Sequence, residues 1–184
     1  MKKQRLIRIM ASIVVLLCLA TFSGCGHESV SLADNVDSER HDDKIDRKYR
    51  SPEAKAILSA LQADNQISSK LNLTENTKTE AMIEYLVVSM KDVDVSECPA
   101  KFCNAYSEHI AAWQRVLRIV HEYSDDIPTV QEWLKVTALH GTEPRTDLER
   151  EVFAAFDDVD STFEICKSIA AEYDIKRSEF DPKD

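Results

Sequence analysis

Glycine is nearly missing from this chain: three occur among 184 residues, and beyond position 50 Gly141 stands alone. A loop that cradles phosphate needs several glycines, and no Gly-x-Ser-x-Gly elbow is present, so two widespread catalytic signatures are excluded. Alternating β-branched and polar runs bounded by turn residues are also scarce, which removes the raw material of sheets and hairpins. Clustered cations are missing as well. Of 23 Lys and Arg, four (Lys2, Lys3, Arg5, Arg8) lie in the first eight positions, leaving 19 against 33 carboxylates and a net charge of −14. Duplex binding needs basic clusters that displace counterions from phosphate, so nucleic acid is excluded as a partner. Anionic lipid headgroups attract polybasic segments, and this composition offers them nothing.

The N-terminus differs from the rest. Its four cations precede an uncharged apolar run over 9–20, followed by Ser23 and Gly24, the pattern of an export signal. Phe22-Ser23-Gly24-Cys25 resembles the lipobox of bacterial lipoproteins. That resemblance covers residues 1–25 and implies cleavage before Cys25, diacylglycerol on its thiol and membrane anchoring in the cell envelope. Gly26 is not the Asp that resembles an inner-membrane retention signal, which favours the periplasmic face of the outer membrane over the inner membrane. An uncleaved signal anchor is the alternative, because the uncharged run 9–26 reaches the roughly 18 residues of a spanning helix.

Residues 26–50 are polar and poor in aromatics, so they bury too little apolar surface to offset the entropy of ordering. The division expected is a signal peptide over 1–24, lipidated Cys25 with a disordered tether over 25–50, and one domain over 51–184. In that domain Pro52, Pro99, Pro128 and Pro144 read as helix openers, since the amide they lack has no partner in a first turn. Thr77 and Glu80 have capping-box spacing. Helices follow over about 52–70, 76–92, 99–123, 128–140 and 145–173, each with an apolar stripe at helical spacing. Gly141 is expected to cap the fourth in the left-handed conformation. The fold class is all-α: a single helical bundle of about four long helices plus one short connector.

If the third and fifth helices pack antiparallel about a connector centred near residue 134, facing residues have numbers summing to about 269. Trp113 then meets Phe156, Leu117 meets Val152, and Tyr106 meets Phe163. The same register sets Cys103 against Cys166 and His109 against Asp160, a disulfide and a buried polar pair. Cys25 is blocked by lipid and Cys18 leaves with the signal, so an envelope compartment that permits disulfides holds three thiols. Cys103 with Cys166 is the favoured bond and Cys98 the free thiol. Cys98 with Cys166 is the next choice, and Cys98 with Cys103 is disfavoured because five helical residues rotate side chains apart.

None of the remaining constellations carries chemistry. Cys98, Cys103 and His109 fit neither Cys-x-x-Cys nor zinc spacings, so no metal is expected. Asp157, Asp158 and Asp160 lack the order of a calcium loop. A thiol at a helix N-terminus gains reactivity, and His109 beside Tyr106 and Trp113 invites a cofactor, so a redox or cofactor-binding protein using Cys98 or His109 is the rival expectation. The leading expectation is a non-catalytic interaction module without cofactor, bound to another envelope or secreted protein, with an inhibitor or immunity role as one version. Its negative charge favours a basic partner.

Overall fold

A computed structural model describes residues 50–70 and 77–181. The signal segment, Cys25 and almost all of the tether expectation lie outside the described residues. Among the described residues five α-helices occur in order: α1 (Pro52–Ser69), α2 (Thr79–Lys91), α3 (Ala100–Glu122), α4 (Val130–Thr137) and α5 (Asp147–Glu172), followed by a 3₁₀ turn (Arg177–Glu179). No strand occurs among the described residues, and none of their helices is long and apolar enough to cross a membrane. The chain is therefore the all-α bundle its composition implies, four long helices with α4 as the short one.

Local chemistry explains where the helices start. Pro52 opens α1 as its first residue, and Pro99 is the N-cap of α3. Pro128 and Pro144 instead stand two and three residues ahead of their helices. The caps there are threonines, Thr129 for α4 and Thr146 for α5. Thr146 accepts from the Glu149 amide at 3.1 Å, and Glu149 reaches back to the Arg145 amide at 2.6 Å. The Thr129 hydroxyl bonds Glu132 in the same three-residue spacing. The box expected at Thr77 and Glu80 is not formed. Helix α2 begins two residues later, Lys78 is its N-cap, and Glu80 Oε1 bonds His121 on α3 at 2.9 Å. The backbone around Thr77 pairs with the start of α4: the Val130 amide donates to Thr77 O and the Thr79 amide to Pro128 O. Gly141 adopts φ +84°, but it follows the end of α4 by four residues and closes a turn instead of capping the helix.

Antiparallel α3 and α5 form the seam of the bundle, and two apolar clusters share it. At one end Met82, Ile83 and Leu86 of α2, Val116 and Val120 of α3, Trp133 of α4, and Val152 and Phe156 of α5 pack together. At the other, Ile57 and Leu61 of α1 meet Phe102 and Tyr106 of α3, Cys166 and Ile169 of α5, and Ile175 and Phe180 of the C-terminal turn. That turn is clasped to α1. Arg50 bonds both carboxylate oxygens of Glu179 at 2.7 and 2.8 Å, and Gln62 Nε2 donates to Glu179 O at 2.9 Å. Such a bidentate pair, less than a tenth exposed on either side, fixes orientation as well as distance.

Phe156 joins the elements of the first cluster. Its ring lies 6.1 Å from Trp113, 5.5 Å from Trp133 and 6.2 Å from His140. Phe156→Ala is expected to lower unfolding free energy by about 3–5 kcal/mol, the usual loss for an enclosed Phe, measured by urea denaturation. A loss below about 1 kcal/mol would mean that α4 does not depend on this ring.

Candidate functional site

Contacts across the seam fix the register of α3 against α5. Facing residue numbers sum to 269 for Trp113 and Phe156, 272 for His109 and Phe163, 273 for Lys101 and Glu172, and 274 for Tyr123 and Glu151. The centre lies near 272, three residues from the symmetric expectation, or roughly 4.5 Å along the axis. The reason is visible at the connector, where Tyr123 at the end of α3 already stands level with Glu151. The first turn of α5 overhangs α3.

That offset revises both polar expectations. His109 does not pair with Asp160. Its Nδ1 lies 3.0 Å from Thr162 Oγ1, and its ring stacks on Phe163 at 5.0 Å. The Thr162 hydroxyl is directed at the Asp158 and Val159 carbonyls, at 2.8 and 3.0 Å, which assigns His109 Nδ1–H as the donor to Thr162 Oγ1. Burial pushes the His109 pKa down to about 4. Asp160 is left with Oδ1 enclosed and unbonded among the described residues, and burial raises its pKa.

The Cys103–Cys166 bond is likewise not formed; Cys98, Cys103 and Cys166 are all free thiols. The shifted register sets Cys166 level with Tyr106 instead. Cys166 is fully buried, and burial together with Asp64 pushes its thiol up to about 12. Cys103 Sγ turns the other way, donating to the carbonyls of Val95 at 3.2 Å and Cys98 at 3.4 Å. Cys98 is not activated by the helix start. Burial, then Cys103, Asp94 and Glu97, push it up to about 11. Desolvation and neighbouring negative charge oppose any help from the helix end. No group of three or more His, Cys, Asp and Glu that could hold a metal occurs among the described residues.

A partner missed in the sequence is Asp64 on α1. Tyr106 Oη donates to its Oδ1 at 2.8 Å, and burial raises its pKa to about 6 against the lowering effect of that bond. Asp64, Tyr106, Cys166 and His109 thus form a polar row through the seam. Tyr106 is bonded to Asp64 and His109 to Thr162, and Asp64, Cys166 and His109 are each shifted toward the neutral form. Nothing in Asp64's own neighbourhood of the sequence marks it, since its partner lies 42 positions away.

The other feature is external. A groove of about 570 Å³ runs between α2 and α3, lined by Glu84, Val87, Val88 and Lys91 on one side and by Gln114, Arg115, Leu117 and Arg118 on the other. Val88 is 51% exposed and Tyr85, next to it on α2, is 40% exposed. Arg115 pairs with Asp158 at 3.1 Å, while Lys91 and Arg118 make no ion pair among the described residues.

The polar row makes a pH prediction. Asp64, raised to about 6, stabilises the fold when protonated, so its contribution is present below about 3.8 and is lost as pH rises to 6. His109, lowered to about 4, behaves oppositely: its contribution is full above about 6.5 and is lost as pH falls to 4. The two offset each other over one window. In Asp64→Asn, stability should climb more steeply from pH 4 to 6.5 than in the parent, and in His109→Gln it should fall as pH rises to 6. Urea midpoints at half-unit pH steps measure both slopes; parallel profiles for the two variants would exclude this coupling.

No protein-family model, curated protein or solved structure matches the chain.

Proposed function

We propose that this protein is a lipoprotein of the bacterial envelope, anchored through lipid on Cys25, whose helical domain is a non-catalytic protein-interaction module. The observation that carries the contact face is the α2–α3 groove, where Val88 leaves apolar surface in water beside Lys91 and Arg118, which make no ion pair among the described residues. Surface of this kind, rimmed by polar groups, is what protein contacts cover. Chemistry in the interior has less support, because the Cys166 thiol is buried and held protonated and His109 is packed and hydrogen-bonded.

The occupant is an amphipathic helix of another envelope or secreted protein, its apolar stripe on Val88 and Leu117 and its carboxylates toward Lys91 and Arg118. Two antiparallel helices leave a furrow suited to a third, and helix-in-groove recognition uses such anchors. The local sign matters more than the net charge here. Though the chain is acidic as a whole, Lys91, Arg115 and Arg118 outnumber Glu84 along the groove.

Two measurements test this. Cys25→Ser should abolish lipid labelling and release the chain from the membrane fraction; retention without lipid would overturn the anchor. A photo-crosslinking residue at Val88 in the full chain in cells should yield a product absent from the same residue at Glu172. The joined peptide should be amphipathic and acidic, and Lys91→Glu with Arg118→Glu should reduce the yield at least tenfold. Equal yields at both positions, a basic joined peptide, or insensitivity to charge reversal would overturn the groove as the contact face.

A further inference from the structure

We propose that Cys98 and Cys103 are the oxidisable pair of this protein, closing a disulfide across the start of α3 while Cys166 stays a buried thiol. The inference rests on the junction between α2 and α3 and depends on neither the lipid anchor nor the groove.

Rotation along a helix disfavours a bond between positions 98 and 103, but Cys98 is not on the helix. Pro99 is the N-cap, with φ −56° and ψ 144°, so the chain is extended between Cys98 and the first helical residue, Ala100. Ahead of it a tight turn folds Cys98 back, its amide donating to Val95 O at 3.0 Å, while the Ser96 amide bonds Asp94 Oδ1 at 2.9 Å. Cys103 sits in the first turn of α3, its amide donating to Pro99 O at 3.1 Å. Its Sγ is directed back over that turn, 3.4 Å from the Cys98 carbonyl oxygen. That oxygen lies two bonds from the Cys98 Cα, which brings Cys103 Sγ within reach of a rotated Cys98 side chain. After burial, Cys103 is the largest influence raising the Cys98 thiol, ahead of Asp94 and Glu97, so the two thiols are electrostatically coupled. The contacts Cys103 gives up are two S–H bonds to carbonyls, among the weakest in proteins.

Cys166 is excluded on three grounds. It is completely buried in the cluster of α1, α3 and α5, it is level with Tyr106, and its perturbing neighbours are Asp64, Glu108 and Lys167 instead of either other cysteine. Cys98 and Cys103 are both partly exposed.

The reaction is thiol–disulfide exchange with a disulfide donor, a small molecule or a protein. Cys98, pushed up to about 11, is held as a thiol, which leaves Cys103 to attack first. Its thiolate breaks the donor S–S bond, forms a mixed disulfide and releases one donor thiolate. Cys98 then loses its proton to solvent and attacks the Cys103 sulfur, expelling the second donor thiolate. The two cysteines give up two electrons and two protons, and the donor is reduced to two thiols. The bond ties the loop over 93–99, which carries Val93 and Val95 onto the core, to the first turn of α3.

Tryptic cleavage separates the three thiols cleanly: Cys98 falls in 92–101, Cys103 in 102–115 and Cys166 in 151–167. The full chain is reduced, oxidised with glutathione disulfide, blocked with maleimide before and after unfolding, and digested. The expected product is 92–101 joined to 102–115, lighter than the sum of the two by two hydrogens and separated again by dithiothreitol, with 151–167 labelled after unfolding only. Cys98→Ser should stop at a stable glutathione adduct on Cys103. Linkage of 102–115 or 92–101 to 151–167, chains joined between molecules alone, or glutathione on both Cys98 and Cys103 of the parent protein would overturn the assignment.

Discussion

The antiparallel contact between α3 and α5 is the constraint from which the other placements follow. Both apolar clusters use it as a shared wall, so a change in its register would misalign α1 and the C-terminal turn at one end and α2 and α4 at the other. Apolar side chains alone define such a register weakly. The stripes recur every turn, and a slip of one turn still sets aliphatic groups against aromatic ones. Directional contacts remove that degeneracy. Slipping α5 by one turn would bury His109 Nδ1–H without Thr162 Oγ1, leaving a polar group unpaired at a cost of about 1–3 kcal/mol.

Helix existence and type were legible because they depend on neighbours in the chain. Near-absence of glycine, apolar stripes at helical spacing and four prolines before periodic segments led to five helices, and the structure has those five. Their starts were less legible. Both the fourth and fifth helices were expected two residues early, at 128 and 145, while Thr146-x-x-Glu149, a capping pair of the kind expected at Thr77, lay just beyond Pro144. A proline marks where a helix is permitted to begin. The cap side chain decides where the backbone amides are satisfied.

Side-chain partners across the seam were not legible to the same depth, and one geometric assumption accounts for this. Facing numbers were expected to sum to 269 on the premise that α3 ends level with the start of α5. The overhang of α5, shown by Tyr123 beside Glu151, moves the centre to about 272. Of the two aromatic contacts expected, Trp113 still meets Phe156, whereas Phe163 stacks on His109 instead of Tyr106. His109 exchanges Asp160 for Thr162, and Cys103 and Cys166 lose each other. Asp64 was out of reach for another reason: one acid among many acquires meaning when α1 folds against Tyr106.

The same distinction separates the interior from the surface as places for function. In the row through the seam, three groups are driven toward their neutral forms: Asp64 and Cys166 upward and His109 downward, all by desolvation first. Such shifts also occur in general acids and bases, which in addition need a route by which a substrate meets them. The row has bonds that close on themselves, Tyr106 to Asp64 and His109 to Thr162, and these spend the polar groups on alignment of helices. Surface cations are spent similarly: Lys101, Lys135, Arg145, Arg150 and Lys167 each hold a carboxylate. Lys91 and Arg118, like Lys55, Lys70 and Lys78, make no ion pair among the described residues, and the first two line the furrow beside Val88 that α2 and α3 leave. An apolar strip and uncommitted cations on one face contribute nothing to folding that burial elsewhere does not supply better. On the interaction-module reading proposed above, their energetic use would be realised on contact with a partner that covers the strip and brings carboxylates.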